Sequence, residues 1–357
     1  MASSYAYEDV DVKRYPRYFN TPNQEALGKK IAALEHCEAG MIFGSGMAAV
    51  STTLLAFLQK GDHVVVQKTI YGGAYNFMVE EFPKYGIEFS FTEGFERKDF
   101  EDKIQANTKV IYVETPSNPL MLITDLEMIA EIARRHKLVS MIDNTFASPV
   151  NQTPADFGID IMIHSATKYM SGHSDICAGA VAGTEEHMLR IWNSAKNLGG
   201  SLSDYTVWLL ERSMKTLVLR VKAHNKNAKK MAKWLHKHPL VTRVYYPGLK
   251  DHPSYELAKK QMNGYTGMLS FELNEDIDAN EFMQALQLIK QSMSLAGVES
   301  TILSPTKTSH ALLTPEERAH QGIADGLLRF SVGIEEARDL ISDLEQAFER
   351  VAKKQLV

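Results

Sequence analysis

The chain has 357 residues, 44% hydrophobic and 23% charged, with a formal net charge of −5. That length suits about two domains, the composition is that of an ordinary globular protein, and without a basic block there is no electrostatic case for a nucleic-acid or membrane partner. Two cysteines, Cys37 and Cys177, argue against a disulfide scaffold and lead us to expect a reducing, cytoplasmic setting, with no apolar run near the roughly 20 residues of a membrane helix and no signal-peptide pattern in the opening residues.

Residues 1–22 read as a polar, aromatic arm ending in Tyr15-Pro-Arg-Tyr-Phe-Asn-Thr-Pro22. A helix is expected over 23–38, with Leu27, Ile31 and Leu34 on one face. Phe43-Gly-Ser-Gly-Met-Ala-Ala49 reads as a glycine turn that opens a second helix ending near Leu58. Short apolar runs follow at His63–Val66, Glu88–Phe91, Lys109–Val113, Val139–Ile142, Asp160–His164 and Ala180–Ala182. Gly73–Tyr85 and Thr124–His136 lie between them and look helical; the second carries the stripe Leu126, Ile129, Ala130, Ala133. Short β-runs alternating with helices predict an α/β domain with a mostly parallel central sheet over 23–215. Tyr205 to His236 reads as one long helical stretch, and the domain change is placed within it. Residues 216–357 then form a smaller α+β domain. Its expected strands are Val241–Tyr246, Gly267–Leu273 and Leu327–Val332, and it closes with an amphipathic helix presenting Leu340, Leu344, Phe348 and Val351.

Lys168 is the first candidate for chemistry. It follows the strand-like run Ile161-Met-Ile-His-Ser-Ala-Thr directly. A lone lysine is ordinarily a solvated surface charge. Ligands of open α/β sheets, however, bind at the carboxyl ends of strands, and a desolvated amine there can serve as nucleophile and base. Asp143 ends the run Val139–Ile142, 25 residues earlier. Alone it reads rather as a turn or cap aspartate. Together, a lysine and an acid at neighbouring strand ends are what pyridoxal phosphate chemistry needs: the lysine forms the Schiff base, and the acid keeps the pyridine nitrogen protonated.

Gly44-Ser-Gly-Met-Ala48 precedes a helix, and helix N-termini hold phosphate. A dinucleotide site is the weaker alternative, since the third glycine of G-x-G-x-x-G is replaced by Ala49 and no acid follows at the expected spacing. Tyr71 precedes Gly72-Gly73, where a flat ring could approach its face; an ordinary turn tyrosine is the other reading. Arg329 lies inside the run Leu327–Val332 and needs a partner: a substrate carboxylate or a structural ion pair. The twelve histidines show no metal-ligand spacing, so no metal is expected.

Many ordered motifs together resemble the PLP-dependent Cys/Met-metabolism family, the trans-sulfuration enzymes. Its carriers are Tyr15-x-Arg17, Ser45-Gly-Met-Ala-Ala49, Tyr71-Gly-Gly73, Glu114-Thr-Pro-Ser-Asn-Pro119, Asp143-Asn-Thr145, His164-Ser-Ala-Thr-Lys-Tyr169, Gly172-His-Ser-Asp175, Lys215-Thr-Leu217 and Arg329-Phe-Ser-Val-Gly333. The resemblance implies the fold-type I, aspartate aminotransferase-like architecture, usually a homotetramer of two catalytic dimers. It implies Lys168 as the Schiff-base lysine, Asp143 as the pyridinium partner and Tyr71 as the stacking residue that assists the leaving group. Ser45, Gly46, Met47, Ser165 and Thr167 would hold the phosphate of pyridoxal 5'-phosphate, with Tyr15 and Arg17 reaching in from the neighbouring subunit. Asn118 would touch the cofactor hydroxyl; Ser294 and Arg329 would bind substrate.

Three departures from the family pattern matter. Only 14 residues precede Tyr15, where members normally carry a few dozen, so the arm is expected to be truncated or the site closed differently. Methionine γ-lyases typically have a cysteine where Gly73 stands. Met293 occupies the position where cystathionine enzymes often carry a glutamate. The expected activity is therefore a C–S lyase eliminating from the γ-carbon of methionine, homocysteine or cystathionine, to give 2-oxobutyrate, ammonia and a thiol. γ-Replacement on a homoserine ester is the alternative reaction. A non-catalytic PLP-fold regulator is the alternative of another kind.

Overall fold

A computed structural model describes residues 2–308, 318 and 322–354. The chain forms two compact units: Met1–Thr115, Thr124–Ser171 and Asp175–Thr216 make the first, and Pro116–Ile123, Gly172–Ser174 and Leu217–Val357 the second.

The first unit runs α1 (Pro22–Leu34), β1 (Ala39–Phe43), α2 (Gly46–Phe57), β2 (His63–Val66), α3 (Gly72–Asn76), α4 (Phe82–Tyr85), β3 (Glu88–Phe91), α5 (Arg97–Glu101), β4 (Thr108–Glu114), α6 (Leu126–His136), β5 (Val139–Asp143), α7 (Ser148–Asn151), β6 (Ile161–His164), β7 (Gly179–Gly183), α8 (Glu185–Leu198) and α9 (Asp204–Met214). Its seven strands lie in the order β1-β7-β6-β5-β4-β2-β3. The run from β6 to β3 is parallel, and β7 is antiparallel to both β6 and β1. Strand side chains alternate between faces, and the core follows that period. Val64, Val66, Val110, Tyr112, Met141, Ile161 and Ile163 pack with α2 and α8. Val65, Ile111, Val113, Ile142 and Met162 pack with α6 on the other face. Both faces being covered explains why the strands read as continuous apolar runs.

Three expectations for this unit need correction. The helix over 23–38 stops at Leu34, because His36 adopts a left-handed φ of 56°, and an unanticipated strand, β1, follows before the glycine turn. Its sequence is Ala39-Gly-Met-Ile-Phe43, poor in β-formers. It pairs with the equally small Gly179-Ala-Val-Ala-Gly183. Small residues are needed there: a Cβ on Gly28 of α1 would stand 2.3 Å from the Gly40 carbonyl oxygen. The stretch Gly73–Tyr85 is helical but widens into a π turn over Phe77–Glu81 before Pro83, which has no N–H to donate backward. Finally, the long helix expected from Tyr205 breaks after Met214. The Thr216 hydroxyl takes the Ser213 carbonyl at 3.1 Å, and three-residue backbone bonds tighten the end.

The second unit holds α10 (Leu217–Leu235), β8 (Val241–Tyr245), α11 (Tyr255–Gln261), β9 (Met268–Leu273), α12 (Ala279–Ala285), β10 (Lys290–Gln291), β11 (Thr301–Leu303), β12 (Leu327–Ser331) and α13 (Ala337–Lys354). Its sheet has the order β10-β11-β12-β9-β8, antiparallel except for the short β10–β11 pair. β10 and β11 are too short to leave a periodic signal in the sequence. Leu269, Phe271, Leu328 and Phe330 meet α10, α12 and α13 in one core. No helix of the described residues is long and apolar enough to cross a membrane.

Candidate active site

In the first unit the polar residues gather at the carboxyl ends of β4, β5 and β6. Asp143 closes β5 and is 7% exposed. Its Oδ1 accepts the Thr145 N–H at 3.0 Å. Burial raises its pKa above the usual carboxylate value; the Thr145 hydroxyl and N–H, then His164 and Lys168, oppose that rise. Thr145 has a second task, because its hydroxyl oxygen accepts the Ser165 N–H at 2.8 Å. One threonine thus ties the acid to the segment that carries Ser165, Thr167 and Lys168. Lys168 stands at the turn after β6, its N–H bonded to the Ser165 carbonyl at 3.1 Å, and is half-buried. Tyr112 lies on the same face as Asp143, fully buried, its hydroxyl without a protein partner.

Ser45 caps α2, its hydroxyl accepting the Ala48 N–H at 3.0 Å. The first N–H groups of a helix have no internal partner, so those of Gly46 and Met47 are available to an anion. A Cβ on Gly46 would lie 2.8 Å from that of Ser165. The glycine therefore lets the helix start come into contact with the Ser165 segment and gathers both sets of donors. Thr167 is committed locally, donating to the Ala178 carbonyl and accepting the Ala178 N–H. Tyr71 precedes α3 and is 48% exposed, its N–H on Glu114 Oε2 at 2.5 Å. A Cβ on Gly73 would meet the Tyr71 ring at 2.5 Å and Met47 Sδ at 3.2 Å, so the ring's position depends on that glycine.

Tyr15 and Arg17 stand apart from this group. The Tyr15 N–H bonds Asn20, and Arg17 donates to the Lys196 carbonyl at 2.6 Å and covers the Tyr18 ring.

The second unit carries the remaining candidates. Arg329, in the middle of β12, is 6% exposed. It donates to Asn118 Oδ1 at 3.3 Å and to the Ser294 carbonyl at 3.0 Å. The expected role of Asn118 did not include this bond. Ser294 is held at φ 75° and Met293 beside it is 72% exposed. Thr145 and Glu114 had no role assigned from sequence. The signal was present, since each sits at or just past a strand end beside a candidate group.

The donors suit a phosphorylated ring cofactor. Free helical N–H groups and hydroxyls can take an anion, a carboxylate can face a ring nitrogen, and an amine stands at the next strand end. Among the described residues no cluster of His, Cys, Asp or Glu could hold a metal ion. An open, mostly parallel sheet with reactive groups at its strand ends is the layout of an α/β enzyme. Residues 2–349 match the model of the Cys/Met metabolism PLP-dependent enzyme family. The chain belongs to that family: it has the fold-type I architecture, its cofactor is pyridoxal phosphate, and it is a carbon–sulfur lyase of the trans-sulfuration group. It is 43% identical to a cystathionine γ-lyase of Bacillus subtilis, over 94% of this chain and 89% of that one. It is 41% identical to an L-methionine γ-lyase of Fusobacterium nucleatum, over 94% and 86%. A cystathionine γ-lyase from Lactobacillus plantarum, solved with L-serine, superposes with a TM-score of 0.95 at 40% identity, covering 99% and 93%. A cystathionine γ synthase from Xanthomonas oryzae does so at 0.94 and 37%, covering 99% and 92%.

Proposed function

We propose that the enzyme catalyses γ-elimination from methionine, homocysteine or cystathionine, releasing a thiol, ammonia and 2-oxobutyrate. The observation that carries this reading is Met293. It directly precedes Ser294, whose carbonyl accepts Arg329 Nη2. An apolar residue next in sequence to the one that accepts the proposed carboxylate-binding arginine suits an uncharged or small substrate tail, and so methionine or homocysteine ahead of cystathionine. A glutamate there would suit the distal amino group of cystathionine.

When bound, pyridoxal phosphate supplies an electron sink for the pair left on the substrate's α-carbon. Lys168 anchors the cofactor through its amine, takes the α-proton and then serves the β-carbon as proton shuttle. Asp143 holds the proton on the ring nitrogen. Tyr71 stacks on the ring and delivers a proton to the departing sulfur. Ser45, Gly46, Met47 and Ser165 bind the phosphate, joined by Thr167 once its hydroxyl leaves the Ala178 carbonyl; Tyr15 and Arg17 complete that site from a neighbouring subunit, and Asn118 orients Arg329 and meets the cofactor hydroxyl. Arg329 and Ser294 bind the substrate carboxylate. The working form is a cytoplasmic homotetramer of two catalytic dimers.

The test is a substrate panel on the purified, PLP-loaded enzyme. Methionine, homocysteine and cystathionine are each offered alone, and O-acetyl- and O-succinyl-homoserine with and without cysteine. Release of 2-oxobutyrate from a sulfur substrate without added thiol is expected. Turnover only with a homoserine ester plus cysteine would make the enzyme a γ-replacement synthase instead. Lys168→Ala should abolish turnover, and full activity in that variant would remove the lysine from its proposed role.

A further inference from the structure

Behind the sheet lies a buried carboxylate that the proposed chemistry does not use. Glu35 follows α1 and is fully buried. Its Oε1 accepts Asn144 Nδ2 at 3.0 Å and pairs with Nε2 of His164. Its Oε2 has no hydrogen-bond partner. Among the described residues its one ion-pair partner is His164, itself 1% exposed. A carboxylate removed from water needs a cation, and this imidazole is the one in contact.

The strand register places the pair relative to Asp143. β5 and β6 run parallel with Asp143 opposite Ile163. Met141 and Ile163 face α2, while Ile142 and Met162 face the opposite core. By alternation Asp143 points with Met141, and His164 points with Met162. The imidazole therefore stands across the sheet from the carboxylate, one strand away. Asn144, the residue after Asp143, is held from several sides: its N–H bonds the Ile163 carbonyl at 2.9 Å, its Nδ2 bonds Glu35 and the Gln152 carbonyl, and its Oδ1 accepts Gln152 Nε2 at 3.0 Å. The charged and titratable groups around Asp143 are thus His164 behind it, Lys168 at the next strand end, and Tyr112 and Glu114 on its own face, Glu114 directly opposite it in β4.

We propose that Glu35 is a positioning residue for the reaction: through the proton it shares with His164 it sets a positive charge behind the strand ends, and through Asn144 it fixes the backbone there, so that Asp143 stays ionised and aimed at the cofactor ring. This rests on the reading of Asp143 as the ring-nitrogen partner. The plain alternative is that the pair only fastens the end of α1 to the sheet.

The experiment loads the enzyme with pyridoxal phosphate labelled with 15N in the ring and compares the ring-nitrogen shift in wild type, Asp143→Asn, Glu35→Gln and His164→Gln. Glu35→Gln keeps the shape and removes the charge. Its ring nitrogen should move toward the unprotonated value, and kcat should fall on the order of tenfold while KM stays within about twofold. His164→Gln should match it, and the double variant should add nothing further. In the cofactor-free protein the 15N shifts of His164 should be those of an imidazolium, and those shifts are read whether or not either variant folds. If Asp143→Asn unprotonates the ring but Glu35→Gln and His164→Gln leave it as in wild type, the pair is only a fastening and the proposal is overturned. A neutral His164 in the cofactor-free protein would overturn it as well. If Asp143→Asn itself leaves the ring protonated, the fault lies with the reading of Asp143.

Discussion

At the residue scale, Asp143, the proposed partner of the ring nitrogen, is held against its own solvation. Burial raises its pKa, and the Thr145 donors, then His164 and Lys168, oppose that rise. The linkage follows from that direction. A carboxyl whose folded pKa lies above the unfolded one favours the folded state in acid, and the advantage is lost as pH rises through the folded value. Above both values the native protein carries a buried charge that its neighbours compensate only in part. Asp143→Asn should therefore raise the melting temperature of the cofactor-free protein at neutral pH, with the gain shrinking as the solution is acidified toward pH 4, while kcat drops on the order of a hundredfold. Melting curves of both proteins across that range check the sign. Gly73 gives a second residue-scale prediction. A methyl there would meet the Tyr71 ring at 2.5 Å, so Gly73→Ala should turn the ring and lower kcat about tenfold without changing the fold, as read by kinetics and circular dichroism. Lys168 and Asp143 were legible because a strand end followed by a lysine or an acid is a local pattern. Glu35 was not, since a glutamate at a helix end reads as solvated until the sheet covers it.

Among the elements, the strongly periodic ones were the most legible. α6, with Leu126, Ile129, Ala130 and Ala133 buried, is what its stripe predicts. β1 was hidden because close packing against α1 demanded glycine, which removes the side chains that mark a strand. α10 shows the same limit. His224 is fully buried and its Nδ1 donates to the Val332 carbonyl at 2.6 Å, tying the helix to the end of β12. Burial pushes its pKa down from 6.5 to about 4. The ring is neutral in the folded state, so its contribution is complete above 6.5 and is lost as pH falls toward 4. The loss amounts to roughly 3 kcal/mol. His224→Gln, which keeps a donor and does not titrate, should flatten the acid side of the stability curve. Urea unfolding at about pH 7.5 and about pH 4.5 should show a smaller difference for the variant than for wild type.

On the scale of the whole molecule, the proposed shared site makes a prediction that one chain cannot fulfil. Arg17→Ala should weaken cofactor binding, and Lys168→Ala should be inactive. Subunits of the two variants, unfolded together and refolded, should regain up to about a quarter of wild-type activity at limiting cofactor, because each hybrid dimer then contains one site without either lesion. Failure of the mixture to exceed its parents would place Arg17 outside the site of its neighbour. Relatives that cleave cystathionine or methionine and one that synthesises cystathionine match this chain about equally well. The architecture is therefore shared by different activities, and the proposed reading assigns substrate choice to a few side chains such as Met293.

By itself the sequence determined the cofactor, the family and the alternation of strand and helix, because these are written in short motifs and in periods of two and 3.6 residues. Tertiary structure alone decided which groups meet. Glu35 reaches His164 across 129 residues of chain, and Arg329 reaches Asn118 across 211. Such pairings depend on strand register and on which face each side chain takes, and no local pattern in the chain encodes either.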